Sequence, residues 1–176
     1  MFRQGLGKKL GIRRGGPRFK VMSKAFTKES DDDGAFELPD REISGFPNLV
    51  TQEGLAQIDA EIDRHSSANA EAIAAKDKEA AARAARELRY WTSRRNNAQV
   101  QPAPAGSDEG AFGSAVTILR ADGRRSSYRI VGEDEADPAK GLISWTSPLA
   151  RELMGKGVGE EIEAGATEAT IVAISV

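Results

Sequence analysis

The sequence predicts an α+β protein, in which an N-terminal antiparallel helical hairpin, a coiled coil, precedes a small antiparallel sheet with one short helix. Two observations predict this division. Residues 55–101 contain no glycine or proline and are rich in alanine, glutamate, lysine and arginine, which favour helix. Residues 112–176 carry short β-rich runs separated by Gly, Pro and Asp, which is typical of strands and tight turns.

Composition divides the chain into four parts. Residues 1–47 form an extension that is first basic and then acidic, 48–101 the coiled-coil hairpin, 102–110 a linker, and 111–176 the sheet domain. The extension has too little apolar character to order itself, so we expect it to be disordered. For its first 21 residues, the alternative is a basic arm that touches nucleic acid or another acidic surface.

The charge is strongly asymmetric along the chain. Residues 1–21 carry seven basic and no acidic residues, and because the net charge of the chain is −2, the remainder sums to −9. Nonspecific nucleic-acid binding needs clustered lysine and arginine, which this acidic body lacks. We therefore expect its macromolecular partners to be proteins.

The hairpin is predicted from its start signal and its seams. Thr51 is a suitable N-cap for a helix. Apolar or small residues then recur at alternating spacings of three and four, as in heptad seams. The two seams are Leu55, Ile58, Ile62, His65, Asn69 and Ala72, then Ala81, Ala84, Leu88, Trp91, Arg95 and Ala98. One antiparallel register pairs every layer and places the turn near residues 76–78; a turn at 66–69 and one unbroken helix are the alternatives.

The elements after the linker are predicted from turn and cap residues. Asp122-Gly123 lies between two β-rich runs and predicts a two-residue hairpin turn. Ser147 followed by Pro148 predicts the start of a short helix that Gly155 ends. The predicted strands lie around Val116 and Ile118, at 128–131, at 142–145, at 160–163 and at 167–176.

Composition excludes several kinds of chemistry. The absence of cysteine excludes disulfides, thiolate zinc sites and a cysteine nucleophile. The single histidine, His65, argues against a histidine-rich metal site or a Ser–His triad. The glycine-rich loop at 155–159 follows a helix and precedes a strand, the reverse of a phosphate-binding loop. No apolar run approaches the ~20 residues of a membrane helix, so we expect a cytoplasmic protein with no membrane contact. We also expect no small-molecule substrate.

Two groups of acidic residues are candidate cation sites. Asp77 and Glu79 lie at the predicted hairpin tip, where carboxylates on a narrow projection can share a hard cation. On a continuous helix residues two apart diverge by about 200°, so a solvated helix end neutralised by Lys76 and Lys78 is the alternative. Residues 133–137 lack the spacing of a calcium loop, and we expect them to form a solvated acidic turn.

Motifs along the chain occur in the order and spacing of a known family. After residue 111 they are Phe112-Gly113-Ser114-Ala115-Val116-Thr117, Tyr128-Arg129-Ile130-Val131-Gly132, Asp134-Glu135-Ala136-Asp137, Ile143-Ser144, Ser147-Pro148-Leu149-Ala150 and Gly155-Lys156 with Val158-Gly159. The earlier ones are Ser23-Lys24-Ala25-Phe26 with Lys28-Glu29, Asn48-Leu49-Val50-Thr51, Gly54-Leu55 and Arg89-Tyr90-Trp91. The sequence resembles the GreA/GreB transcript-cleavage factors, with a start most like that of GreB.

The resemblance implies a fold and a partner. It implies an FKBP-like C-terminal domain without prolyl isomerase activity and a coiled coil that enters the secondary channel of bacterial RNA polymerase. The family docks on the polymerase rim through the loop before the short helix, which corresponds to Thr146, Ser147 and Pro148. Threonine stands at a position where the family often has Asp or Asn.

The tip departs from the family pattern. Cleavage-competent members carry a Gly-Asp-Leu-x-Glu-Asn type motif whose two acidic residues hold the second catalytic Mg²⁺ of the polymerase. Nothing between Arg64 and Arg86 reproduces it, and Asp77 and Glu79 match only by position. The sequence therefore predicts a polymerase-binding elongation regulator that is not an enzyme and has no cofactor of its own, with Mg²⁺ involved only if the tip is functional. The alternative is a regulator of nucleoside diphosphate kinase, similar to Rnk, acting by protein binding.

Overall fold

The computed structural model describes residues 38–106 and 108–176. The basic arm and the first part of the predicted acidic extension lie outside these ranges. Among the described residues, no helix is both long and apolar enough to cross a bilayer.

A helical hairpin forms the first part of the described chain. Helix α1 spans Gln52–Ala74 and helix α2 spans Lys78–Asn96. Thr51 caps α1 as predicted, because its hydroxyl accepts the Gly54 N–H at 2.9 Å. Lys76 has a φ of 56°, in the left-handed region, and turns the chain between the helices. The predicted turn at 76–78 is confirmed, and both the turn at 66–69 and the unbroken helix are wrong.

The predicted seams are confirmed with one exception. All six α1 seam positions are buried or partly buried, and Ile58 packs with Trp91 and Val50 in a small core at the hairpin base. Arg95 was predicted on the α2 seam but is exposed and pairs with Asp59 at 2.6 Å. Its neighbour Arg94 is buried instead, because the C-terminal domain supplies the Glu133 and Asp134 carboxylates on that side of α2.

Two short strands close the hairpin base, where helix was expected up to residue 101. Strand β1 at Asn48–Val50 pairs in parallel with strand β2 at Ala98–Val100. Helix α2 therefore ends at Asn96. Three-residue strands are too short to show a period in the sequence, which is why this pair was missed.

The C-terminal sheet has five strands in the order β5-β4-β3-β7-β6. They are β3 at Ala115–Arg120, β4 at Arg125–Val131, β5 at Leu142–Ser144, β6 at Glu161–Glu163 and β7 at Glu168–Ser175. β5 pairs with β4 in parallel, so the sheet is mixed and the expectation of an antiparallel sheet is wrong for this strand. The long connection between them, with a 3-10 turn at Pro138–Lys140, carries the chain back alongside β4.

One face of this sheet forms the main core. Its fully buried side chains include Val116, Ile118, Ile130, Leu153 and Ile171. Leu153 comes from helix α3, at Pro148–Leu153, which covers the sheet and starts at the predicted cap.

The turn between β3 and β4 differs slightly from the prediction. The Arg120 N–H donates to the Arg124 carbonyl, which leaves a loop of Ala121, Asp122 and Gly123. Gly123 has a φ of 82°. The Asp-Gly pair therefore sits in a three-residue loop with a left-handed glycine instead of a two-residue turn.

The strap, residues 38–47, lies against the hairpin. Asp40 pairs with Arg89, and Arg41 pairs with Glu87, each at 2.6 Å. The Arg41 guanidinium carbon also lies 3.6 Å from the centre of the Tyr90 ring. The expected disorder therefore does not hold for this stretch, because its charges match the charged outer face of α2.

Candidate functional site

The acidic loop, residues 132–137, turns its carboxylates inward onto the hairpin base. Glu133, Asp134 and Glu135 each accept hydrogen bonds from residues outside the loop. The expectation of a solvated acidic turn is wrong for these three residues. Their hydrogen-bond partners are distant from the loop in sequence, so a local sequence pattern could not predict them. Only Asp137 keeps a local, solvent-facing partner, Lys140 at 2.9 Å.

Asp134 joins the loop to helix α2. It accepts from Arg94 Nε and from the Tyr90 hydroxyl, the latter at 2.6 Å. Arg94 is only 2% exposed, so its charge depends on this carboxylate and on Glu133, whose oxygen lies 3.4 Å away. Burial and the hydrogen bond to the Asp134 carboxylate raise the pKa of Tyr90 to about 12. The phenol therefore stays a donor at neutral pH.

Glu135 joins the loop to the start of helix α1. Its carboxylate accepts the Thr51 N–H at 3.0 Å, the Thr51 hydroxyl, and the Gly132 N–H at 3.1 Å. A Cβ at Gly54 would lie 2.1 Å from the Glu135 carboxyl carbon, and one at Gly132 would lie 2.5 Å from the Leu49 carbonyl oxygen. Both glycines leave the space in which this carboxylate reaches the cap of α1.

Glu133 connects the strap with the predicted docking loop. Its Oε1 accepts from the Ser44 hydroxyl at 2.9 Å and lies 3.5 Å from the Thr146 hydroxyl. One carboxylate thus contacts the strap, helix α2 and the docking loop. The hairpin and the C-terminal domain are held together by charged and polar contacts centred on the acidic loop.

The predicted docking corner, Thr146, Ser147 and Pro148, lies at the start of α3. The Ser147 hydroxyl accepts the Ala150 N–H at 3.3 Å and caps the helix. The Thr146 hydroxyl lies 2.7 Å from that of Ser144. Thr146 and Ser147 are half-buried and Pro148 is exposed. The corner therefore exposes the proline ring to solvent, while both hydroxyls hold the loop.

The hairpin tip uses its two carboxylates structurally. Asp77 caps α2, because its Oδ1 accepts the Ala80 N–H at 2.9 Å. Glu79 pairs with Arg83 one turn further along. The structure thus gives the two candidates separate partners. Within the described ranges, no cluster of three or more His, Asp or Glu side chains could hold a metal ion.

Sequence reasoning missed four residues of this junction. Arg94 and Asp134 form its buried pair, Glu135 holds the cap of α1, and Phe46 of the strap packs edge-on against Trp145 with 5.9 Å between ring centres. A faint signal existed for one of them. Tyr90 and Arg94 lie four apart, so they share one face of α2, off the predicted heptad seam.

Comparisons with known proteins identify the C-terminal part of the chain. The family model for the C-terminal region of the transcription elongation factors GreA and GreB matches residues 105–176. GreA of Novosphingobium aromaticivorans is 41% identical over 98 residues, which cover 55% of this chain and 61% of that protein. GreA of Helicobacter pylori strain 26695 is 47% identical over 68 residues, which cover 38% of this chain and 42% of that protein. The chain thus matches less than two thirds of the length of either relative.

The solved structures that resemble this chain are less similar to it in sequence than these relatives are. A GreA factor homolog, Gfh1, of Thermus thermophilus has a TM-score of 0.37 at 19% identity, covering 74% of this chain and all of that one. A GreA/GreB factor of Nitrosomonas europaea has a TM-score of 0.38 at 16% identity, covering 73% of this chain and 98% of that one. Scores this low carry no argument. The sequence matches show that residues 105–176 are similar to the C-terminal domain of the GreA/GreB transcription elongation factors.

Proposed function

We propose that this protein binds bacterial RNA polymerase and regulates transcript elongation by placing its helical hairpin in the secondary channel. The observation that supports this most directly is the pairing of a GreA/GreB C-terminal domain at 105–176 with a helical hairpin at 52–96. Helix α1 has 23 residues and is about 35 Å long at ~1.5 Å per residue, which suits a channel-entering projection. The protein is an accessory factor in this proposal, and any chemistry belongs to the polymerase.

The tip favours occupancy of the channel over stimulation of RNA cleavage. A second catalytic Mg²⁺ would need carboxylates that are held close together and free to coordinate it. Asp77 is engaged as a helix cap and Glu79 is paired with Arg83. We therefore infer that the bound protein slows nucleotide addition and does not efficiently stimulate cleavage.

A cleavage assay on stalled, backtracked elongation complexes tests this inference. We expect no stimulation of RNA cleavage by the wild type, together with slower elongation as its concentration rises. The Asp77→Asn, Glu79→Gln double variant should behave as the wild type does. Robust cleavage that this variant loses would make the tip catalytic and contradict the inference.

Direct binding separates the proposal from its alternative. Purified core polymerase and nucleoside diphosphate kinase serve as parallel baits for the full chain. We expect retention by the polymerase at micromolar protein concentrations. Retention by the kinase alone would replace the proposal with a regulator similar to Rnk.

A further inference from the structure

Arginines cluster at the end of the C-terminal sheet where β3 turns into β4. Of the seven lysine and arginine residues at 108–176, four lie within 120–129, a stretch with one acidic residue. A groove of about 450 Å³ opens at this end of the sheet, and we call it the arginine groove. It is lined by Arg120, Arg124, Arg125, Ser126 and Tyr128. Among the described residues, no carboxylate lines it, and those of β6 and β7 line a different groove.

The one acidic residue of this stretch is already engaged. The Asp122 carboxylate accepts the Arg124 backbone N–H at 3.0 Å and pairs with the Arg124 side chain at 2.7 Å. These hydrogen bonds lower the pKa of the Asp122 carboxyl, and the charge of Arg120 adds a smaller effect in the same direction. The aspartate is therefore ionised at neutral pH and is directed to Arg124. One carboxylate offsets only one of three arginines, so the groove keeps a positive charge.

The other two arginines keep unused donors. Arg120 Nη1 donates to the Ala164 carbonyl at 2.8 Å and to the Thr167 hydroxyl at 3.1 Å. Both acceptors are uncharged, so they orient the guanidinium without neutralising it and leave its Nε and Nη2 donors available. Arg125 is exposed, and its side chain has no ion pair or hydrogen bond among the described residues. The groove therefore presents one oriented and one free guanidinium.

The donors around the groove indicate the chemistry of its ligand. Arginine binds carboxylates and phosphates through paired N–H groups. The Ser126 and Tyr128 hydroxyls line the same groove, and neither has a hydrogen-bond partner among the described residues. A carboxylate offers only two oxygens to such a set, whereas a chain of phosphates offers many oxygens and several negative charges. A polyphosphate therefore engages these donors more fully than a carboxylate does.

The charge of the remaining chain favours a small ligand over a nucleic acid. Beyond residue 21 the chain sums to −9, so a long polyanion would lie against an acidic body. Nucleic-acid binding needs many clustered cations along an extended track, and this cluster is confined to one end of one sheet. The groove volume of about 450 Å³ is within the range of ~300–1,000 Å³ that small-molecule sites have.

We infer that the arginine groove binds the polyphosphate group of a small molecule, with Arg120 and Arg125 as its charged contacts. The groove is distinct from the docking corner. β4 runs from Arg125 to Val131, and the Trp145 N–H, next to the corner, donates to the Val131 carbonyl at 2.9 Å. At ~3.3 Å per residue, about 20 Å of strand separates the two sites. The inference therefore does not depend on the proposed binding to polymerase.

Amide NMR spectra of the full chain test the site, because they locate binding at individual residues. Inorganic triphosphate is the first probe, in a buffer without divalent metal ions. We expect the Arg125 and Ser126 amide signals to shift and to saturate at millimolar or lower ligand concentrations. Shifts confined to residues 1–21 would assign the binding to the basic arm and overturn the inference, as would the absence of saturable shifts at the groove.

Two variants separate a specific site from general charge attraction. Arg125→Gln should raise the dissociation constant about tenfold, the scale of losing one charge-assisted contact. Arg64→Gln is the matched control, because it removes the same charge from a side chain of α1 that is 65% exposed and lies outside the groove. It should leave the dissociation constant unchanged. Equal losses in the two variants, with both shown to be folded by thermal unfolding, would contradict the inference.

Further probes distinguish the sources of the polyphosphate group. Adenosine triphosphate should shift the same amide signals, and adenosine should shift none of them. Tighter binding of the nucleotide than of inorganic triphosphate, with an added shift at Tyr128, would identify a nucleotide as the ligand, and equal affinities would identify a free polyphosphate. A single-stranded oligonucleotide or an acidic peptide that shifts the groove signals at lower concentrations than triphosphate would overturn the inference. None of these results changes the test of polymerase binding.

Discussion

Tyr90 shows how a single side chain reports on the junction. It lies on α2, under the Arg41 guanidinium, and donates to Asp134 of the acidic loop. Strap, hairpin and C-terminal domain therefore all meet at this ring. Its ionisation would place a negative charge against the Asp134 carboxylate in a partly buried site, which is why its pKa is raised.

The raised pKa of Tyr90 predicts a loss of stability at high pH. The unfolded phenol ionises near its ordinary value of 10.0, whereas the folded one keeps its proton until about pH 12. Between those values the unfolded state binds fewer protons, so the free energy of unfolding falls as pH rises. Denaturant titrations should show a shallower fall for Tyr90→Phe than for the wild type. Parallel curves would show that Tyr90 is not the residue responsible.

At the scale of elements, the hairpin is attached to the C-terminal domain through the last turn of α2. Two adjacent arginines there have opposite roles. Arg94 points into the junction and pairs with Asp134, and Arg95 points outward and pairs with Asp59. A buried pair depends on both members, because removing one leaves the other charge without water or partner. An exposed pair is screened by solvent and contributes little.

We expect Arg94→Ala to destabilise the protein by about 3 kcal/mol, the lower end of the cost of breaking a buried pair. Arg95→Ala is the matched control and should cost less than ~1 kcal/mol, as exposed pairs do. Urea denaturation followed by tryptophan fluorescence measures both, since Trp91 lies one turn away on α2 and Trp145 lies next to the strap. Equal effects of the two variants would contradict the buried junction.

At the scale of the whole molecule, the acidic loop brings the docking corner and the hairpin base into one unit. Glu133 and Asp134 hold Arg94, and Glu133 also lies beside Thr146. A partner bound at the corner is therefore positioned relative to the hairpin through direct contacts. This arrangement supports the proposed function, in which the protein docks at one site and projects its hairpin into another.

The docking corner is tested by a charge at its exposed proline. Pro148→Glu keeps a residue that suits the first turn of a helix, and it leaves the Ser147 cap in place. We expect binding to core polymerase to weaken by about tenfold. Pro138→Glu changes another exposed proline, at the start of the 3-10 turn, and should leave binding unchanged. Equal affinities for the two variants would show that this corner is not the docking surface.

Local patterns determined much of this protein. Heptad spacing and the absence of glycine and proline predicted both helices and the turn at Lys76, and Ser147-Pro148 predicted the start of α3. Those signals act between residues that are neighbours on one helix or one turn, so a single sequence records them. The family motifs likewise predicted the C-terminal domain.

The tertiary structure alone decided the junction. The acidic loop reads as solvated because its partners Thr51, Tyr90 and Arg94 lie some 40 to 84 positions away in sequence. The sequence of the strap predicts disorder, because the contacts that order it come from the outer face of α2 and from Trp145. Contacts between distant segments form only when the folded elements pack together. Hydrophobic periodicity and turn residues describe short stretches of sequence, so they do not predict such contacts.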